Sequence, residues 1–165
     1  MVARCLMLAA VLMLMIPAGS FGAQDPEEGA LVVFVNSGNT IDVQLADGTV
    51  ERVRMVGVNA PRIDVPDFGD ECFGPESTTF LTDWVSGQMV RLARDVSDRD
   101  GTGRLLRHVW IQDAGGTEVM VGEVLIAGGY AEANAIAPDV QMAEQLSAVE
   151  ADARDRAAGQ WGACP

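Results

Sequence analysis

The chain has 165 residues, 48% hydrophobic and 21% charged, which suits one ordinary domain with a packed core and excludes a wholly disordered chain. Its eleven basic residues, all arginine, face 24 acidic ones for a net charge of −13. So acidic a surface disfavours general nucleic-acid binding, and three cysteines with one histidine are too few for a clustered zinc site.

The first segment reads as an export signal. Arg4 supplies a positive start, residues 5–16 form an unbroken apolar run, and Pro17, Gly19 and Ser20 break it. The run is shorter than the roughly 20 residues a membrane span needs. Small residues near positions 18–22 suit a signal peptidase, so residues 1–23 are read as a signal peptide, with an uncleaved anchor as the alternative. Export to the periplasm or the cell exterior follows, and cleavage leaves no membrane segment. Cys5 departs with the signal. Cys72 and Cys164 then remain as an even pair in an oxidising compartment and are expected to form one disulfide. Residues 24–30 (QDPEEGA) read as an acidic linker, and residues 31–165 as the domain.

Residues 31–35 are a β-branched apolar run, followed by a turn at 36–39. Residues 40–45 (TIDVQL) alternate apolar and polar as a half-buried strand does, Asp47-Gly48 signals a hairpin, and 50–58 continues the alternation. Residues 59–74 are rich in Pro, Gly and Asp and read as a loop. Pro75 then opens a helix whose apolar face carries Phe80, Leu81, Trp84 and Val85 and which ends near Gly87. Residues 89–93 and 105–111 are two further strands, separated by a turn at 98–104. A short helix is expected over 123–127 and an amphipathic one over 139–158, with Met142, Leu146, Val149 and Ala153 on one stripe. Five short strands, one helix after the third and two at the end predict a small five-stranded barrel of the OB type, a β-barrel plus helices.

Six segments in order carry a resemblance. They are 37–41 (SGNTI), 53–61 (VRMVGVNAP), 71–76 (ECFGPE), 100–105 (DGTGRL), 122–125 with 129–131 (GEVL, GYA), and 159–161 (GQW). Together they resemble the staphylococcal-nuclease-like (thermonuclease) domain family across roughly residues 31–163. The resemblance implies an OB-fold barrel with about three helices and a calcium-dependent phosphodiesterase activity. Secreted members often carry cysteines like Cys72 and Cys164, which agrees with the bridge.

Phosphodiester hydrolysis needs a hard cation on carboxylate oxygens, a group that activates or positions water, and guanidinium groups for the charge growing on the phosphoryl oxygens. By the resemblance, the two family arginines fall on Arg54 and Arg104. The acids do not carry over. The first aspartate of the family's DGDT turn falls on Ser37, the two metal-binding aspartates on Asn39 and Asn59, and the glutamate on Arg62. The nucleotide-holding Lys-Tyr pair falls on Gly101-Thr102, and two stacking tyrosines on Ala135 and Ala137.

Each asparagine removes one negative charge, and arginine for glutamate swings the site by two more. No calcium cofactor is therefore expected, and the leading reading is an exported, non-catalytic family member acting as a binding or structural module. One alternative is an active nuclease with a remodelled site, in which Asp64 takes the missing glutamate's place; the plainer reading of Asp64, Asp67, Asp70 and Glu71 is a solvated acidic loop. A second alternative makes Arg54, Arg62 and Arg104 a metal-free pocket for phosphate or another anion. Arg54 and Arg104 can equally be structural ion-pair partners of Asp100 and Glu123. The basic residues of 99–107 are flanked by Asp95, Asp98 and Asp100 and read as a charge-balanced turn, and His108 reads as a strand residue. The physiological partner stays open.

Overall fold

A computed structural model describes residues 28–165; the predicted signal peptide and most of the acidic linker lie outside the described residues. In chain order the strands and helices are β1 (Glu28–Ser37), β2 (Thr40–Gln44), β3 (Val50–Met55), β4 (Gly57–Asn59), α1 (Gly74–Val85), β5 (Met89–Ala93), β6 (Leu105–Gln112), β7 (Glu118–Met120), α2 (Val121–Ala127), β8 (Glu132–Asn134), α3 (Ala143–Asp155) and α4 (Gln160–Ala163).

The sheet order is β3-β2-β1-β5-β6-β7, and a parallel pairing of β3 with β6 joins its two sides. Strands β1, β2, β3, β6 and β5 therefore close into the five-stranded barrel expected from the sequence, with three helices and a short fourth around it. β1 serves two neighbours. Its first residues pair with β5 and the remainder with β2, and two irregularities, between Val32 and Phe34 and between Val35 and Ser37, curl it around the barrel. Alternation supplies the core: Val32, Ile41, Val43, Val53, Leu92, Leu105 and Val109 turn inward and are almost completely buried. Leu81 and Val85 of α1, Leu125 and Ile126 of α2, and Leu146 of α3 join the same core.

Three departures from the sequence reading matter for the site. β1 begins at Glu28, inside the stretch read as linker. The long third strand breaks after Met55, because Gly57 adopts a φ of 72° and a side chain there would collide with Leu146. Beyond the break, β4 leaves the barrel to pair with β8, which sets Asn59 opposite Glu132. Finally, α3 starts at Ala143 rather than residue 139, because the Asp139 carboxylate is engaged by the backbone of Val96 and Ser97. Cys72 and Cys164 are bonded, with their Cα atoms 5.9 Å apart across a sequence separation of 92. Among the described residues no helix is long and apolar enough to cross a membrane.

Candidate functional site

The β1–β2 turn is held close to the rest of the site. A side chain at Gly38 would lie 2.1 Å from Ser77 Oγ on α1 and 2.8 Å from the Cβ of Ala60, so only glycine fits there. The Ser77 hydroxyl donates to the Tyr130 carbonyl at 2.7 Å, and the Met55 amide donates to the Asn39 carbonyl at 3.0 Å. These contacts bring Ser37–Thr40, Asn59–Pro61, Arg54 and Arg104 around one cavity of about 530 Å³, together with Arg62 and Asp64. All three candidate arginines and both family metal positions therefore line the same space.

Asn39 is 6% exposed, and its amide is used on both sides. Its Nδ2 donates to the Val58 carbonyl, and its Oδ1 accepts from the Ser37 and Thr40 hydroxyls, each at 3.2 Å. It ties the β1–β2 turn to β4. A hard dication prefers several charged oxygens. This wall provides amides, hydroxyls and the single carboxylate of Asp64, opposite three guanidinium groups. Among the described residues no group of three or more His, Cys, Asp or Glu side chains is placed to hold a metal ion.

Arg54 lies on β3 between β2 and β6, with Thr40 and Leu106 as its register partners. It faces away from the inward Val53 and Met55 and lines a cavity with Asp100, Arg104, Ala137 and Pro138. Its Nη1 is buried with no hydrogen-bond partner. Burial, and then the neighbouring Arg104 charge, pull its pKa down to about 10 against a smaller opposing pull from Asp100.

Arg104 is held by Asp100. Its Nε donates to Asp100 Oδ2 at 2.6 Å, while the amides of Thr102 and Arg104 and the Thr102 hydroxyl converge on Oδ1. Burial raises the Asp100 carboxyl, but the hydrogen bonds from Thr102 and Arg104 together outweigh it and leave the group well below its ordinary range. One carboxylate thus faces two adjacent guanidiniums, a local positive field within a strongly acidic protein.

Arg62 stands at the rim, its side chain 69% exposed, and forms an ion pair with Glu71. Nε reaches Glu71 Oε1 at 2.7 Å, and the Arg62 amide reaches Oε2 at 2.8 Å, so this pair also closes the base of the 62–71 loop. Glu123 pairs with neither arginine of the site; it accepts from Gln145 on α3. In the 98–107 region Arg99 binds Glu51 and Arg107 binds Asp98, so those charges are balanced locally.

A second cavity of about 300 Å³ adjoins Arg54 and Arg104 on the other side. Met55, Val56, Leu106, Ile136 and Pro138 make it apolar, and Ser97 and Asp139 close it. Ala137 lies in its wall where the family resemblance places an aromatic ring. Sequence reasoning did not find Asp139 as part of this cavity, since it sits in no motif.

Comparison with known proteins yields one family model, described as "Staphylococcal nuclease homologue", which matches residues 52–163. The chain is 30% identical over 135 residues to a thermonuclease of Staphylococcus hyicus, covering 82% of this chain and 76% of that protein. It is 36% identical over 86 residues to a thermonuclease of Staphylococcus intermedius, covering 52% of this chain and 51% of the relative.

Proposed function

The chain belongs to the staphylococcal nuclease homologue family, and we propose that it is an exported, non-catalytic member whose Arg54–Arg104 cavity binds anions without a metal. The observation that carries this reading is the state of Asn39. Its amide oxygen is occupied by two hydroxyls and its nitrogen by a carbonyl, so it acts as an internal tie where the resemblance implies a calcium ligand. Asn59 is likewise uncharged, and Arg62 puts a cation where the resemblance implies an acid. A dication in this wall would find one carboxylate among the lining side chains, fewer charged oxygens than a hard cation prefers.

Binding an anion asks less of the site. Arg54 brings a guanidinium short of partners, Arg104 a second one oriented by Asp100, and Arg62 a third at the rim. Guanidinium forks recognise phosphate and sulfate oxygens by paired N–H donors. Export is supported by the N-terminal signal pattern and by the Cys72–Cys164 bridge, which persists in oxidising compartments.

The test is hydrolysis of denatured DNA and of RNA by the purified mature protein, in calcium and in chelator, alongside sulfate titration by calorimetry. No cleavage in either condition, with saturable sulfate binding that Arg54→Met abolishes, is the expected result. The carboxylate of Asp64 in the cavity wall favours one competing reading, an active nuclease with a remodelled site. Calcium-dependent cleavage lost in Asp64→Asn would establish that reading instead.

A further inference from the structure

We propose that His108, Asp95 and Asp139 form a proton-operated clasp joining two loops at the wall of the second, 300 Å³ cavity, which shares Arg54 and Arg104 with the anion cavity, a device that rests on the reading of those two arginines as a ligand site. One loop follows β5 and contains Asp95, Val96 and Ser97. The other leads from β8 to α3 and contains Asp139 and Gln141. Each loop lends a carboxylate to the backbone of the other. Asp139 Oδ1 accepts the Val96 amide at 3.0 Å and the Ser97 amide at 2.6 Å. Asp95 Oδ2 accepts the Gln141 amide at 2.9 Å.

His108, on β6 opposite Ala93, is the buried group that both carboxylates face. Its side chain is 3% exposed, and Nε2 lies 3.5 Å from Asp95 Oδ2, the same oxygen that receives Gln141. At that distance Nε2 has no well-formed hydrogen bond. Among the described residues the charges acting on the ring are Asp95, beyond the end of β5, and Asp139, ahead of α3; β3, β7 and α2, the other elements packed on β6, add none.

With the ring neutral, Asp95 Oδ2 serves the Gln141 amide. A protonated ring is a buried cation that competes for that oxygen. Burial is the larger influence and holds the imidazole below its ordinary 6.5, against the pull of the two carboxylates. In an opened clasp the ring is hydrated and regains the ordinary value. As pH falls below 6.5 protons therefore bind the open form first, and the open fraction rises about tenfold for each pKa unit that the closed clasp withholds. Ser97 and Asp139 line the second cavity together with Arg54 and Arg104, so opening the clasp removes part of the wall on that side of the two arginines.

The chain has one histidine, so its imidazole resonances are unambiguous. The experiment is an NMR titration of the mature protein from pH 7.5 to 5. It follows the ring, the amides of Val96, Ser97 and Gln141, and the exchange of those amides corrected for intrinsic rates. The expected result is a ring midpoint below 6.5, a matching midpoint at all three amides, and protection that falls with acidification by about tenfold per unit of depression. In His108→Gln the three amides should lose that midpoint. Amides that ignore the ring's titration, or protection that rises on acidification, would overturn the clasp. Should His108→Gln not fold, the ring and amide midpoints of the wild type decide alone. Sulfate, whose charge is constant over this range, is titrated at pH 7.5 in the same samples. Absent sulfate binding with an intact clasp titration counts against the cavity reading and leaves the clasp supported.

Discussion

Arg54→Met tests whether the cavity's positive charge is held at a cost to the fold. The Arg54 guanidinium is mostly buried, its Nη1 has no partner, and burial pulls its pKa down to about 10. At about 1.4 kcal/mol per pKa unit, the charged form is destabilised in the native protein by roughly 3 kcal/mol. The sign follows from linkage. A base whose folded pKa is depressed binds protons less readily when folded, so the penalty is complete wherever pH lies below both values. Neutral pH lies below both, and the penalty stays constant across the accessible range. Methionine keeps the aliphatic stem and removes the charge, while Asp100 retains Arg104 as its partner. The variant should therefore gain about 1–3 kcal/mol in urea unfolding, somewhat less than the full penalty because the shorter methionine leaves part of the guanidinium's space unfilled. It should also lose the stabilisation by sulfate, which for the wild type reaches about 2.7 kcal/mol at a hundred times Kd. Linear extrapolation of urea curves with and without sulfate measures both. A variant clearly less stable than the wild type in sulfate-free buffer would refute the reasoning and make Arg54 a structural partner of Asp100.

Three further outcomes are expected. Asn39→Asp should cost about 1–3 kcal/mol, since a carboxylate would confront the Val58 carbonyl that now receives Nδ2; thermal unfolding measures this, and calcium that restored the lost stability would argue for a metal site. Replacing both Cys72 and Cys164 by serine should cost about 4–5 kcal/mol in the chain-entropy model for a loop of this length, read from urea midpoints of the oxidised wild type and the variant; a loss under 1 kcal/mol would show that the tail docks without the bond. Asp100 has a depressed pKa, so its contribution is complete above the ordinary carboxylate value of 3.8 and is lost as pH falls through its lower folded value. Asp100→Asn should accordingly be less stable than the wild type at pH 7 and lose less stability between pH 5 and 2; identical acid-unfolding curves would contradict this.

What the chain determines by itself is local and periodic. Alternation in 40–45 and 50–55 predicts strands because a half-buried sheet has a side-chain period of two, and Asp47-Gly48 predicts the hairpin because its backbone tolerates the turn. Arg54, Arg104, Asn39, Asn59 and Arg62 were recognisable as one constellation because motif order survives in the sequence. Cys72 and Cys164 were paired by elimination once Cys5 was set aside. Other features arise from contacts between distant segments. The third strand breaks at Gly57 because Leu146, far along the chain, packs against that point. β8 is too short to announce itself and exists because β4 is there to pair with it. Asp139 reads as a helix start, yet tertiary hydrogen bonds from Val96 and Ser97 claim its carboxylate. Whether Arg62 is an unpaired cation or half of an ion pair depends on where the loop returns Glu71. His108 is buried beside Asp95, whose loop exchanges hydrogen bonds with the loop of Asp139 far along the chain. Periodicity records which face of an element is apolar; which charges end up together, and how far water is kept from them, is decided only when the segments pack.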